Sequence, residues 1–278
     1  MTRELTEMGG TSRQAILAAR SALDLALKGK SEADISKFAS ELFTALSALD
    51  SSAPLRRSIT DVSRDAKDKS KLVSDVFGKG APVAAGLIGE LSALKWSKPN
   101  DLVDTLEHLA VEAEASAANV GGEFDRLEEE LFAFSRIVAG DIELRQALSS
   151  SAYSAEDKRV LVAKLFGGKV SQITGGMLGH LVSGLRGRSL EATIDFYIKA
   201  TAARRNRMIA VVKTAIAITN QQREKLATTL AAKIGQPVRL NVEIDPSVIG
   251  GISIRFADEL IDATIVNRLA DASRAFAG

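Results

Sequence analysis

Two glycine-lysine clusters, Gly78-Lys79-Gly80 and Gly167-Gly168-Lys169, are the residues whose types could cradle a phosphate. A phosphate loop needs two glycines bracketing four residues and then Lys followed by Ser or Thr, with a strand before and a helix after. Lys169 is instead followed by Val170, and a helical pattern precedes both clusters, so they read as helix C-caps. Gly175, Gly176 and Gly179 suggest a dinucleotide fingerprint but fall inside a helical pattern, where close helix packing explains them. A catalytic or zinc-binding histidine needs partners in known geometry. His108 and His180 have no such spacing around them, and His108 reads as a residue of a helix surface. Glu128, Glu129 and Glu130 read as a solvated helix face. The chain has no cysteine, which removes disulfides, thiolate zinc sites and cysteine nucleophiles. No catalytic, cofactor-binding or metal-binding residue is therefore expected.

Arg186, Arg188, Arg204, Arg205 and Arg207 form the one basic concentration. Nucleic-acid binding would join such residues to stacking aromatics or a known module, whereas Phe196 and Tyr197 fit a core face. The arginines read as an interdomain or partner contact. With 36 basic and 35 acidic residues, the net charge of +1 implies no polyanionic partner. The longest apolar stretches end at Glu90 and Lys213, short of the roughly 20 residues that span a bilayer. Met1 to Gly10 carries Arg3, Glu4 and Glu7 with no apolar stretch after it, so no secretory signal is expected and membrane association would be indirect.

The elements that hold these residues follow a repeat. Ile35, Phe38, Leu42, Phe43 and Leu49 have the spacing of one helical face, and the spacing returns as Phe124, Leu127, Leu131, Phe132 and Val138, an offset of 124 − 35 = 89. The offset persists through Glu41 and Glu130, Leu55-Arg56 and Leu144-Arg145, Asp68-Lys69 and Asp157-Lys158, and Phe77-Gly78 and Phe166-Gly167. After a one-residue slip, Gly86-Leu87-Ile88-Gly89-Glu90-Leu91 is answered by Gly176-Met177-Leu178-Gly179-His180-Leu181. In the first copy, helices are expected over 12–27, from Ser31, over 53–60, 67–77, 81–95 and 100–117. The second copy repeats them from Glu123 to Met208. It lacks an opening helix of its own unless the end of the 100–117 helix serves both bundles. After Met208 the pattern turns mixed: strands over 208–219, 238–244 and 251–260, a helix over 221–234 and a last helix over 263–276. The expected class is mainly α with a small α/β part. The expected division is two tandem bundles, 1–118 and 119–207, before a C-terminal α/β domain, 208–278. A composition with 46% hydrophobic and only 5% aromatic residues suits close-packed helices.

Within that last domain, Val238, Leu240, Ile244, Asp245, Val248, Gly250, Gly251, Ile252, Ile254 and Arg255, continuing into Asp258 and Asp262, resemble the signature of the delta subunit of F-type ATP synthases, the oligomycin-sensitivity-conferring protein family. One departure is Ala257, where the family usually has glycine. The duplicated helical part resembles the actinobacterial form. The resemblance implies a non-catalytic peripheral-stalk (stator) subunit with no cofactor. It would grip the amino-terminal helices of alpha subunits, hold a b-type stalk subunit, and keep the catalytic head from turning during proton-driven ATP synthesis. It further implies one copy per complex, at the cytoplasmic face of the plasma membrane, with no membrane insertion and no nucleic acid. In the family an alpha-subunit helix lies between the first and fifth bundle helices, here 12–27 and 81–95, with 173–185 as the fifth helix of the second copy. On that basis Leu17, Leu23, Ile88, Leu91, Met177 and Leu181 are the expected partner-binding residues of those helices, and Ile265, Leu269 and Phe276 of the last helix are expected at the stalk contact or its support; Trp96, where a helix meets a turn, reads as a half-buried core residue or as a partner anchor, and Gly250 and Gly251 as a structural turn. From the residues alone, a helical adaptor unrelated to ATP synthase is the alternative.

Overall fold

A computed structural model describes residues 8–207, 209–234, 238–245, 248, 252–256 and 259–262. Two compact units emerge, Met1–Ala202 and Ala203–Gly278.

The first unit is helical: α1 (Gly10–Leu27), α2 (Glu32–Ser51), α3 (Ala53–Thr60), α4 (Ala66–Phe77), α5 (Ala85–Ala93), α6 (Pro99–Val120), α7 (Phe124–Gly140), α8 (Ile142–Ser149), α9 (Ala155–Phe166), α10 (Gln172–Ser183) and α11 (Leu190–Arg207), the last of which runs past its end. Local chemistry sets the starts. Ser31, Ser52, Asp141, Ser154 and Ser171 each accept a backbone N–H with their side chains, at the N-caps of α2, α3, α8, α9 and α10. The repeat is visible in the element bounds. From α3 to α8 both ends move by 89 (142 − 53 and 149 − 60), and from α4 to α9 they do so again (155 − 66 and 166 − 77). The apolar faces match too, with Ile35, Phe38, Leu42 and Leu49 buried in one copy and Phe124, Leu127, Leu131 and Val138 in the other.

The opening helix of the second copy is α6. Moving α1 by 89 residues places its start at 99, which is where α6 begins. This helix packs on α1, α2 and α3 of the first copy and on α7 and α10 of the second. Of its 22 residues, 17 are buried. A helix enclosed on all sides has no surface face, so His108, expected on a surface, lies in the core at 4% exposure.

Gly78 and Gly167 follow α4 and α9 as caps, with negative φ, and the left-handed residue is Gly168 at φ +74°. Close packing does not account for the α10 glycines. A Cβ at Gly175 or Gly179 would meet its nearest neighbour at 3.8 or 3.9 Å, and one at Gly176 nothing within 4 Å.

In the second unit, β1 (Ile209–Thr214), α12 (Asn220–Ile234) and β2 (Arg239–Ile244) make a parallel crossover; β3 (Ile252–Phe256) and β4 (Glu259–Asp262) follow. The strand order is β2-β1-β3-β4. The single strand expected over 251–260 is an antiparallel pair, β3 with β4. Nor are β2 and β3 a hairpin, because each pairs with a different side of β1. At the end of β1 and β2 the Asp245 N–H donates to the Thr214 carbonyl at 2.8 Å. Ala210, Val212, Leu240 and Ile254 share one sheet face and pack with Leu230 of α12. The expected turn at Gly250 and Gly251 and the expected last helix lie outside the described residues.

Candidate docking surfaces

The shared helix α6 is held by ions and hydroxyls from both copies. On the first-copy side, Ser12 Oγ donates to Asp101 at 2.7 Å, Arg20 Nε to Glu112 at 2.9 Å, and Ser36 Oγ to Glu114 at 3.0 Å. From the link between α10 and α11, Arg186 Nη1 reaches Glu107 at 2.6 Å, and Arg188 Nη2 reaches the other oxygen of the same carboxylate at 2.5 Å. Arg186 also meets Asp104 at 2.7 Å and Asp50 of α2 at 3.2 Å. A buried carboxylate is tolerated only when such donors replace its water. The turn that aims these guanidinium groups is unusual: Arg186 has φ +50° and Gly187 φ +77°. Arg186 and Arg188, expected at an interdomain or partner contact, therefore clamp the two copies together inside the first unit.

Burial shifts the groups along this seam. It pushes the Glu114 carboxyl up to about 7, with Ser36 opposing. His108 is held down at about 3, by burial first and then by Arg20 and Arg188. Its ring lies edge-on to Phe196, centroids 4.6 Å apart.

Phe43 of α2 stacks on His180 of α10, with ring centroids 4.0 Å apart and planes 9° off parallel. Burial, then Arg159, lowers His180 to about 4, so the stacked ring is a neutral imidazole near neutral pH. Asp50, Arg159, Ser183 and Tyr197 line a cleft of about 230 Å³ beside this stack.

A second interaction is made twice. Glu41 of α2 accepts the N–H groups of Val83 and Ala84, just before α5, at 2.7 and 2.9 Å. Its equivalent Glu130 (130 − 41 = 89) accepts the Ser171 N–H, at the start of α10, at 2.9 Å. An anion at a helix start satisfies orphan donors and meets the positive end of the helix dipole. Glu130, expected to be solvated, thus fixes α10. The signal was in the repeat, since Glu41-Leu42-Phe43 and Glu130-Leu131-Phe132 match.

Most expected partner-binding residues lie in the core. Leu23, Ile88, Leu91, Met177 and Leu181 are buried, and reach a partner only through the surface they support. Trp96 is buried as well, its Nε1–H donating to the Leu91 carbonyl at 2.8 Å. Leu17 stands out on α1 at 56% exposure, with Leu25 exposed two turns further on. Ile265, Leu269 and Phe276 lie outside the described residues. Phe132, whose spacing put it on one face with Phe124, Leu127, Leu131 and Val138, is instead exposed, and sequence reasoning passed over Ile137 and Leu165, which are exposed on the same copy. Ile137 and Leu165 edge a groove of about 410 Å³ floored by Phe134, Leu144 and Phe166. Among the described residues no helix is long and apolar enough to cross a membrane.

The sequence model of one protein family, ATP synthase delta (OSCP) subunit, matches residues 111–276, beginning inside α6. Full-length relatives extend the likeness through the first copy. The ATP synthase subunit delta of Streptomyces griseus is 41% identical, covering 98% of this chain and 100% of that protein. That of Streptomyces coelicolor is 38% identical, covering 98% and 100%, and that of Nocardia farcinica is 38% identical, covering 94% and 97%. A chain in the cryo-EM structure of the Toxoplasma gondii mitochondrial ATP synthase hexamer is 18% identical, covering 60% of this chain and 97% of its own length, at a TM-score of 0.29 too low to carry an argument.

Proposed function

Because the chain belongs to the ATP synthase delta (OSCP) subunit family, we propose that it is a non-catalytic stator subunit that joins alpha subunits of the catalytic head to a b-type stalk. The observation that carries this is the 41% identity over the whole length of a subunit delta with both helical copies included. The physical requirement on a stator is to bear torque without yielding. A helical unit whose two copies share α6, with Glu107 held by Arg186 and Arg188, suits that requirement. The place of work is the cytoplasmic face of the plasma membrane, reached through partners, with one copy per complex.

The copies are unequal as receptors. In the second, α2 of the first copy packs along α6 and sets Phe43 on His180 of α10, so the space between its first and fifth helices is taken from within the chain. In the first copy, α1 packs on α5 and presents Leu17 and Leu25. We assign the alpha-subunit helix to this first-copy site, as a helix in a groove. The second unit, with its last helix, is assigned to the b-type subunit.

Co-purification tests the assignment: tagged chain should come out of detergent-solubilised membranes with alpha, beta and b chains. Cutting after Arg207 should leave binding to a synthetic alpha-subunit amino-terminal peptide within about twofold while abolishing b binding. A truncated protein that holds b with normal affinity would overturn the division of labour, and recovery without other ATP synthase subunits would overturn the function.

A further inference from the structure

The two copies are joined by one face of α2. Its Phe43 is 4% exposed because the second copy lies over it, with His180 stacked on the ring and Arg186 on Asp50. The same face exists once more, on α7. Leu42 and Leu131, and Glu41 and Glu130, hold equivalent positions in the two copies, so Phe132 (132 − 43 = 89) points outward as Phe43 does. There it stands 55% exposed.

The residues around the two phenylalanines select what can cover them. Beside Phe43 the preceding turns carry Ser36, Ala39 and Ser40, which are small and neutral. At the matching positions α7 carries Asp125, Glu128 and Glu129, three acids against the one base of the following turn, Arg136, which stands where the first copy has Ser47. An exposed ring beside exposed Ile137 offers apolar area to a partner, and the acids around it disfavour another copy of this chain. The α5 helix has Glu90 where α10 has His180, so a second copy docked in the same manner would bring Glu90 against Phe132 and its carboxylates. The position of Arg186 is likewise Trp96 in the first copy, after the 90-residue offset (186 − 96).

We propose that the Phe132 face of α7 is a second docking site, for a basic amphipathic helix of another protein, which lays an Arg or His plane on the Phe132 ring and sets further Lys or Arg residues against Asp125, Glu128 and Glu129. It continues outward the joint that Phe43 makes inward. This site is separate from the α1 groove and does not depend on which complex the partner belongs to.

The test replaces Phe132 by p-benzoylphenylalanine in the full chain, irradiates living cells of the native host, and sequences the joined peptide by mass spectrometry. The expected product is a segment of another protein with helical apolar periodicity and at least two Lys, Arg or His within two turns of the joined residue. The charge-reversed chain, Glu128→Lys with Glu129→Lys, should lower its yield at least about fivefold. A product with lipid, with a second copy, within the same chain or with an acidic or neutral segment would overturn the proposal, as would no product or a yield indifferent to charge reversal. Fold effects are read separately: Phe132→Ala should leave the melting temperature of the free chain unchanged, while Phe43→Ala lowers it. If both lower it equally, Phe132 belongs to the fold and the proposal fails. A basic helix from a protein outside ATP synthase would support the site whatever the co-purification shows of the proposed function, so the two can fail independently.

Discussion

Replacing Arg186 by alanine tests whether the seam between the copies is structural. The side chain serves three carboxylates of unequal burial. Glu107 is 2% exposed, whereas Asp104 and Asp50 are 40% and 43% exposed. The two exposed pairs are each worth at most about 0.5 kcal/mol in water. Stripping a buried ion of its sole partner costs about 3 to 5 kcal/mol, but Glu107 keeps Arg188 at 2.5 Å, so roughly half of that, about 2 kcal/mol, is expected. The sum is a loss of about 2 to 3 kcal/mol, or roughly 5 to 10 °C for a unit of this size. The backbone adds a second readout. At φ +50° a residue with a Cβ carries about 1 kcal/mol of strain that glycine does not. Arg186→Gly should therefore melt above Arg186→Ala by about 1 kcal/mol, although both lose the same ion pairs. Urea and thermal denaturation of the full chain, followed by circular dichroism, measure both. An alanine variant within about 0.5 kcal/mol of the parent, or a glycine variant no more stable than alanine, would refute the reasoning.

Two further outcomes follow from carboxylates that hold the helices of the first unit. The folded-state pKa of Glu114 stands at about 7 against an ordinary 4.5. Its protonated form therefore supports the fold fully below about pH 4.5, and that support is lost as pH rises through about 7. Glu114→Gln should flatten the fall in stability between pH 5 and 8, by an amount on the order of 3 kcal/mol, and urea midpoints across that range check it. Glu41→Ala and Glu130→Ala should each cost about 1 to 2 kcal/mol, because each leaves helix-start N–H groups of α5 or α10 without their acceptor. Chemical denaturation decides it, and a cost confined to one of the two would show that the copies are not built alike.

Where sequence reasoning succeeded, the information was local or periodic. Ser31 announces a helix start because its hydroxyl caps the N–H groups that follow it, and apolar spacing shows which face of α2 turns inward and, Phe132 apart, which face of α7 does. Where it failed, the deciding neighbour came from far along the chain. His108 looked like a surface residue because nothing in Leu106-Glu107-His108-Leu109 reveals that α6 is enclosed by both copies. Arg186 and Arg188 read equally as an interdomain or a partner contact, because the carboxylates that decide for a contact between the copies lie about 80 residues earlier. That β2 and β3 lie on opposite sides of β1 was illegible too, because pairing across a third strand leaves no mark in two alternating segments.

The amino-acid sequence by itself determined the helical class, the duplication at 89 residues, the mixed C-terminal unit and the family, all of which rest on spacing and residue type along the chain. Tertiary structure decided which repeated residues are equivalent only in name. Phe43 and Phe132 occupy the same helical position, each beside a buried leucine, Leu42 or Leu131, and apolar spacing alone does not separate them. One is covered and the other open because the first copy has a second copy to lie against, and the second has none within the chain. Burial is a property of what arrives from elsewhere to exclude water, and it is burial that turns a repeated phenylalanine into a joint at one end and a docking face at the other.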